Sequence, residues 1–222
     1  MTSTNNLLST IEINPSMSPI GTVILLHGLG ADGNDFAPIV PELHLPSSKP
    51  LRFVFPNAPL KAVTINNGYI MPAWYDITSM DIHQRVDMNG MTESIDELKK
   101  LIARENERGI PSEKIILAGF SQGAVIALMT GLAFPHKLAG IMALSGYLPT
   151  SKPEIHPANQ TTPIFVAHGT QDPIIPYTIG LESCDTLNRL GLATSWHSYQ
   201  MAHSVNEKEI RDMADWLTKI FS

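Results

Sequence analysis

Gly119-Phe120-Ser121-Gln122-Gly123 follows the apolar run Ile115-Ile116-Leu117-Ala118 and precedes a stretch of small and apolar residues, Ala124-Val125-Ile126-Ala127-Leu128. G-x-S-x-G between a strand and a helix is the pattern of a nucleophilic serine raised on a sharp turn. The two glycines answer crowding: side chains at 119 and 123 would strike the neighbouring strand and helix while the serine sits in a strained conformation. A chain of this length contains about 0.08 such triples by chance. The bland alternative is a glycine-rich helix start that only packs closely or binds a phosphate. A serine hydroxyl alone is a poor nucleophile, so the reading requires a base for its proton and donors for the oxyanion formed on attack at a carbonyl.

In a strand-turn-helix architecture of this kind the acid and the histidine follow the nucleophile in that order. Ile164-Phe165-Val166-Ala167 reads as a buried strand, and the polar turn from His168 to Pro173 leaves its carboxyl end carrying Asp172. Asp172 is the candidate to orient an imidazole and stabilise its cation; capping the turn ahead of Pro173 is its alternative role. His203 follows the last strand, just before the C-terminal helix. His27 and His168 also stand at strand ends, but both precede Asp172, and shaping their turns through backbone bonds is the favoured reading for them. His44, His83, His136, His156 and His197 fall in loops, helices or a strand and are taken as structural or solvent-facing. For the oxyanion, one donor is the amide of Gln122, the residue after the serine. Leu29 supplies the second, between two glycines in His27-Gly28-Leu29-Gly30.

Elements that could hold these residues are legible as short apolar runs at 23–26, 52–55, 115–118, 141–144 and 164–167, with a weaker one at 194–199. Between them lie helical stripes: Phe36, Ile39, Val40 and Leu43; Met91, Ile95, Leu98 and Ile102; Leu181, Cys184, Leu187 and Leu190; and Ile210, Met213, Ala214, Leu217 and Ile220. Apolar strands alternating with helices predict an α/β fold with a mostly parallel sheet covered on both faces. The alternation lapses over 58–88, an irregular stretch expected to lie over the carboxyl ends of the strands. Ile70, Met71 and Trp74 from that stretch, with Tyr147 and Ile174, are candidates to line an acyl channel, ordinary core packing being the alternative.

The 222 residues carry 15 basic and 21 acidic side chains, a net charge of −6, and only one cysteine. One domain spanning 1–222 is expected, with a core large enough to need neither a metal nor a disulfide. Scattered cations and an acidic balance exclude the clustered basic surface that nucleic-acid binding requires. The N-terminus lacks the basic and apolar segments of a secretory signal, no apolar run is long enough to span a membrane, and unpaired Cys184 fits a reducing, cytoplasmic location. The expected partner is a small ester or acyl substrate, a homodimer being the other association kept open.

Taken together, H-G-L-G-A-D-G at 27–33, P-x-W-Y-D at 72–76, G-I-P-x-E-K-I-I-L-A-G-F-S-Q-G from 109, H-G-x-x-D at 168–172 and M-A-H at 201–203 resemble the small carboxylesterases and acyl-protein thioesterases of the α/β-hydrolase superfamily. The resemblance runs from about residue 20 to the C-terminus. It implies a hydrolase fold without a separate cap domain, no cofactor, Ser121, Asp172 and His203 as the catalytic triad, and Leu29 and Gln122 as oxyanion donors. Two positions depart from the family pattern. Ala124 stands where a further glycine is usual, and Tyr147 stands where the eukaryotic thioesterases tend to carry tryptophan, which places the chain with the bacterial carboxylesterases. The expected activity is therefore hydrolysis of short to medium carboxylic esters through an acyl-enzyme. Acyl-protein thioesterase or lysophospholipase activity is the alternative, and a non-catalytic binding protein on the same fold a remote one.

Overall fold

The computed structural model describes residues 7–79, 81–82 and 87–222. Seven strands form the main sheet: β1 (Thr10–Ile13), β2 (Gly21–Leu26), β3 (Leu51–Pro56), β6 (Ile115–Phe120), β7 (Gly140–Leu144), β8 (Ile164–Gly169) and β9 (Thr194–Tyr199). Their order is β1-β3-β2-β6-β7-β8-β9, with β1 antiparallel to β3 and every other pairing parallel. The apolar runs become these strands because both faces are covered, so alternate residues enter opposite cores. In β2, Ile24 and Leu26 pack with Leu98, Ile102, Val125 and Ile126 of α2 (Met88–Glu107) and α3 (Gln122–Ala133). Val23 and Leu25 pack on the other face with Met213 and Leu217 of α5 (Glu207–Ile220). Leu187 of α4 (Tyr177–Arg189) joins α3 on the first face. This is the α/β-hydrolase fold.

Three local outcomes differ from the sequence reading. The stripe from Phe36 to Leu43 forms only a single helical turn, α1 (Ile39–Glu42), after a 3-10 turn over Gly33–Asp35. Pro38 and Pro41 explain this, since each removes a backbone donor that a longer helix would use. The stretch 58–88 contains an antiparallel hairpin, β4 (Leu60–Val63) with β5 (Tyr69–Pro72), turned through Asn67 and Gly68 at φ of 55° and 74°. β1, with its alternating Thr-Ile-Glu-Ile sequence, adds an edge strand.

At the amino ends of the strands, buried Glu105 near the end of α2 accepts from Arg52, Arg108 and the Thr22 hydroxyl. The opposite, carboxyl ends carry His27, Ser121, Asp172 and His203 on four separate connections.

Candidate active site

Ser121 sits between β6 and α3 at φ 56° and ψ −118°, a conformation that costs a non-glycine residue about 1–3 kcal/mol. Its neighbours leave no alternative. A Cβ at Gly119 would stand 2.2 Å from the Gly123 carbonyl oxygen, and one at Gly123 would stand 2.3 Å from the Leu26 carbonyl oxygen. The Ser121 N–H donates to Leu144 O at 2.8 Å, extending the β6–β7 ladder to the serine itself. The Ala124 methyl points at Gly146, where a Cβ would lie 2.4 Å from it, so the extra carbon at 124 occupies space that a glycine across the gap supplies.

His203 Nε2 lies 2.9 Å from Ser121 Oγ, and His203 Nδ1 lies 2.7 Å from Asp172 Oδ2. The carboxylate can only accept, so Nδ1 carries the proton and the Nε2 lone pair faces the serine hydroxyl. Asp172 is itself fixed: Oδ1 accepts from the Ile174 and Ile175 amides at 2.8 and 2.9 Å. Burial alone would raise its pKa. Hydrogen bonds from His168, His203 and the two amides outweigh burial and hold the carboxyl well below the usual range. The acid is therefore an anion at any pH at which the enzyme would work.

Leu29 and Ser121 line one cavity, and Gln122 occupies the first helical position of α3, where an amide has no intrahelical acceptor. Around these two amides runs a set of bonds that residue types alone did not disclose. The Gln122 side chain accepts from the Trp74 amide at 2.8 Å and donates to Tyr75 O at 2.7 Å. The Trp74 indole donates to His27 O at 2.8 Å, and the Gly30 amide donates to Pro72 O at 2.8 Å. Residues 72–75 thus fasten the turn carrying Leu29 to the turn carrying Gln122, and the P-x-W-Y-D motif is a clasp under the site.

The cavity beside Ser121 has a volume of about 630 Å³. Its apolar wall comes from Leu29, Phe36, Ile39, Phe120, Val205 and Ile210, with Ile174 at its edge. Of the five residues expected to line an acyl channel, only Ile174 borders this cavity. Trp74 and Tyr147 are buried in the core with Ile175, Met71 packs at the margin of that core, and Ile70 is exposed on β5. The reason is the clasp: it holds Trp74 against the His27 ring, with centroids 5.2 Å apart, and bonds its indole to His27 O, so the ring does not face the cavity. Phe36, Ile39 and Ile210 were visible as apolar stripe residues, but periodicity cannot distinguish a residue facing a cavity from one facing the core.

Replacing Trp74 by Ala is therefore expected to lower kcat/KM for acetyl and long-chain esters by similar factors. Loss of the buried ring and of the donor to His27 O should cost about 4 kcal/mol of stability, read as a fall in Tm of about 10 °C. A selective loss on long chains would restore Trp74 to the channel.

Among the other histidines, His27 accepts from the Ala58 amide at Nε2 and donates from Nδ1 to Gly28 O, and burial pushes its pKa down. His168 is fully buried beside Asp172. His197 stacks on Phe165 at 4.2 Å, and His156 caps the Ala158 amide. His83 lies outside the described residues.

Residues 10–221 match the phospholipase/carboxylesterase family. Acyl-protein thioesterase 1 of Mycosarcoma maydis is 40% identical over 97% of this chain and 98% of its own. The thioesterase 1 of Saccharomyces cerevisiae is 36% identical over 98% and 99%. The structure of Zea mays acyl-protein thioesterase 2 superposes with a TM-score of 0.85 at 26% identity, covering 96% of this chain and 99% of that one. These relatives are eukaryotic thioesterases, which overturns the placement with bacterial carboxylesterases drawn from Tyr147. That side chain is buried in the core. No helix among the described residues is long and apolar enough to cross a membrane. The chain belongs to the phospholipase/carboxylesterase family of α/β-hydrolases and is a serine hydrolase.

Proposed function

We propose that the chain is one catalytic domain that hydrolyses acyl thioesters, with acylated proteins as substrates, and carboxylic esters by the same route. The observation that carries this reading is the hydrogen-bonded chain Ser121–His203–Asp172 opening onto the apolar cavity. Full-length similarity to acyl-protein thioesterases supports the thioester over the simple ester. Ser121 Oγ attacks the acyl carbonyl as His203 Nε2 takes its proton, and Asp172 stabilises the imidazolium. The Leu29 and Gln122 amides hold the oxyanion. His203 then returns the proton to the leaving thiolate or alkoxide, leaving the acyl group on Ser121. Water repeats the sequence: His203 takes its proton as it attacks, and the acid leaves as Ser121 regains its hydrogen. A reducing, cytoplasmic compartment, which unpaired Cys184 fits, goes with this reading.

A panel of thioesters and oxyesters from acetyl to palmitoyl tests this. Each methylene buried in the cavity adds about 0.8 kcal/mol, so kcat/KM should climb about fourfold per carbon until the wall is full, and thioesters should lead at equal chain length. Ile210→Trp, which fills part of the cavity, should remove at least tenfold from the long-chain rate while acetyl transfer changes less than threefold. A flat chain-length profile would refute the acyl cavity, and a peak at acetyl or butyryl oxyesters with thioesters trailing would favour a short-chain carboxylesterase.

A further inference from the structure

We propose that His168, at the end of β8, is a positioning residue for the Asp172 carboxylate, acting through the turn that it ties down. The inference rests on the reading of Ser121, His203 and Asp172 given above. His168 is wholly buried, and its Nε2 lies 2.8 Å from Ile175 O and 3.4 Å from Asp172 Oδ2. A carbonyl only accepts, so the proton of the imidazole is on Nε2 and points at both oxygens. Nδ1 has no partner among the described residues and faces Gly180, where a Cβ would come within 2.4 Å of it. The ring is held flat against Trp196, with centroids 6.2 Å apart and planes at 19°. A residue placed only for packing would serve as well with an apolar ring and would not leave a buried nitrogen bare.

The consequence lies two bonds away. Ile175, whose carbonyl His168 holds, also donates its amide to Asp172 Oδ1, together with Ile174. His168 therefore closes the far side of the loop that cradles the acid, and adds a longer donor contact to the oxygen that meets His203. The ionisable groups facing Asp172 are His168 from β8 and His203 from the loop after β9; Tyr177 of α4 meets the far side of the His168 ring. These donors keep the buried carboxyl ionised against burial, which by itself favours the neutral acid. Without His168 the turn relaxes, Asp172 loses donors, and its pKa rises. With the turn loosened, Asp172 Oδ2 no longer keeps its place 2.7 Å from His203 Nδ1 and stabilises the imidazolium less, so the acid limb of kcat/KM moves to lower pH.

The test is the pH profile of kcat/KM for His168→Leu, His168→Asn and His168→Gln. Wild type should show an acid limb of unit slope. His168→Leu should lose about 100-fold in kcat with KM within threefold, and its acid limb should keep unit slope but move to lower pH. His168→Asn, whose shorter amide does not reach Ile175 O, should behave alike and serves if the leucine variant does not fold. His168→Gln places an amide N–H near the original Nε2 and should return the acid limb to its wild-type position with at least a tenth of wild-type kcat. Folded Leu and Asn variants with wild-type kcat and limb, or uniform losses that Gln does not relieve, would overturn the proposal. Ser121→Ala separates this from the reading beneath it: an active Ser121→Ala removes the serine mechanism, whereas an inactive one beside a fully active His168→Leu removes only the role of His168.

Discussion

Ser121→Ala is expected to lower kcat by about 10⁶-fold while leaving the circular dichroism spectrum and Tm unchanged. The size of the effect follows from there being no second nucleophile in the hydrogen-bonded chain: His203 Nε2 faces Ser121 Oγ, and removing that oxygen leaves a base with nothing to activate but water. The Leu29 and Gln122 amides would remain, and with substrate binding they would sustain about 10³-fold over the uncatalysed reaction. Stability should hold for a structural reason. The hydroxyl bonds to His203, whereas the strained backbone is imposed by Gly119, Gly123 and the amide bond to Leu144 O, none of which the substitution touches. A loss below tenfold, in a protein freed of wild-type contaminant, would place the nucleophile elsewhere.

Asp172→Asn should cost about 10⁴-fold in kcat, more than a neutral isostere would suggest, because the surrounding donors dictate which way the new amide faces. The Ile174 and Ile175 amides both point at Oδ1 and require an acceptor there. The asparagine oxygen must take that place, which puts its NH₂ where Oδ2 stood, 2.7 Å from His203 Nδ1. A donor facing Nδ1 forces the other tautomer, with the proton on Nε2, and that imidazole cannot accept from Ser121. His168 Nε2 would meet the same NH₂ across 3.4 Å, adding a donor–donor conflict. Steady-state kinetics on folded protein check this; a fall of less than 30-fold would mean that Asp172 does not set the His203 tautomer.

What could be read in the sequence was what is local. The G-x-S-x-G turn, the apolar runs and the polar turn after β8 each carry their information within a few residues, and chain order then separates His203 from His27 and His168. The cavity wall was not legible because it is made where the segment before α1, the end of β6 and the start of α5 converge, from Phe36, Phe120 and Ile210. Trp74 misled for a related reason: an aromatic residue in an irregular stretch looks like a ligand surface until its indole is seen bonded to His27 O. The Gln122 side chain carries no local sequence signal, because its position after the serine marks only its backbone amide. Its carboxamide is nonetheless what joins the elbow to residues 74 and 75. Pro38 and Pro41 were in plain view, and weighing them against the stripe from Phe36 to Leu43 would have shortened that helix.

The proposed mechanism passes through an acyl-enzyme on Ser121. Mixing the protein with a palmitoyl or octanoyl thioester, quenching in acid within the first turnover and mapping peptides by mass spectrometry tests it directly. One acyl group per chain is expected on the peptide containing Ser121, appearing as a burst of released thiol and absent from Ser121→Ala. An acyl group on any other residue, or turnover with no covalent adduct and no burst under conditions where deacylation is slowed, would contradict it.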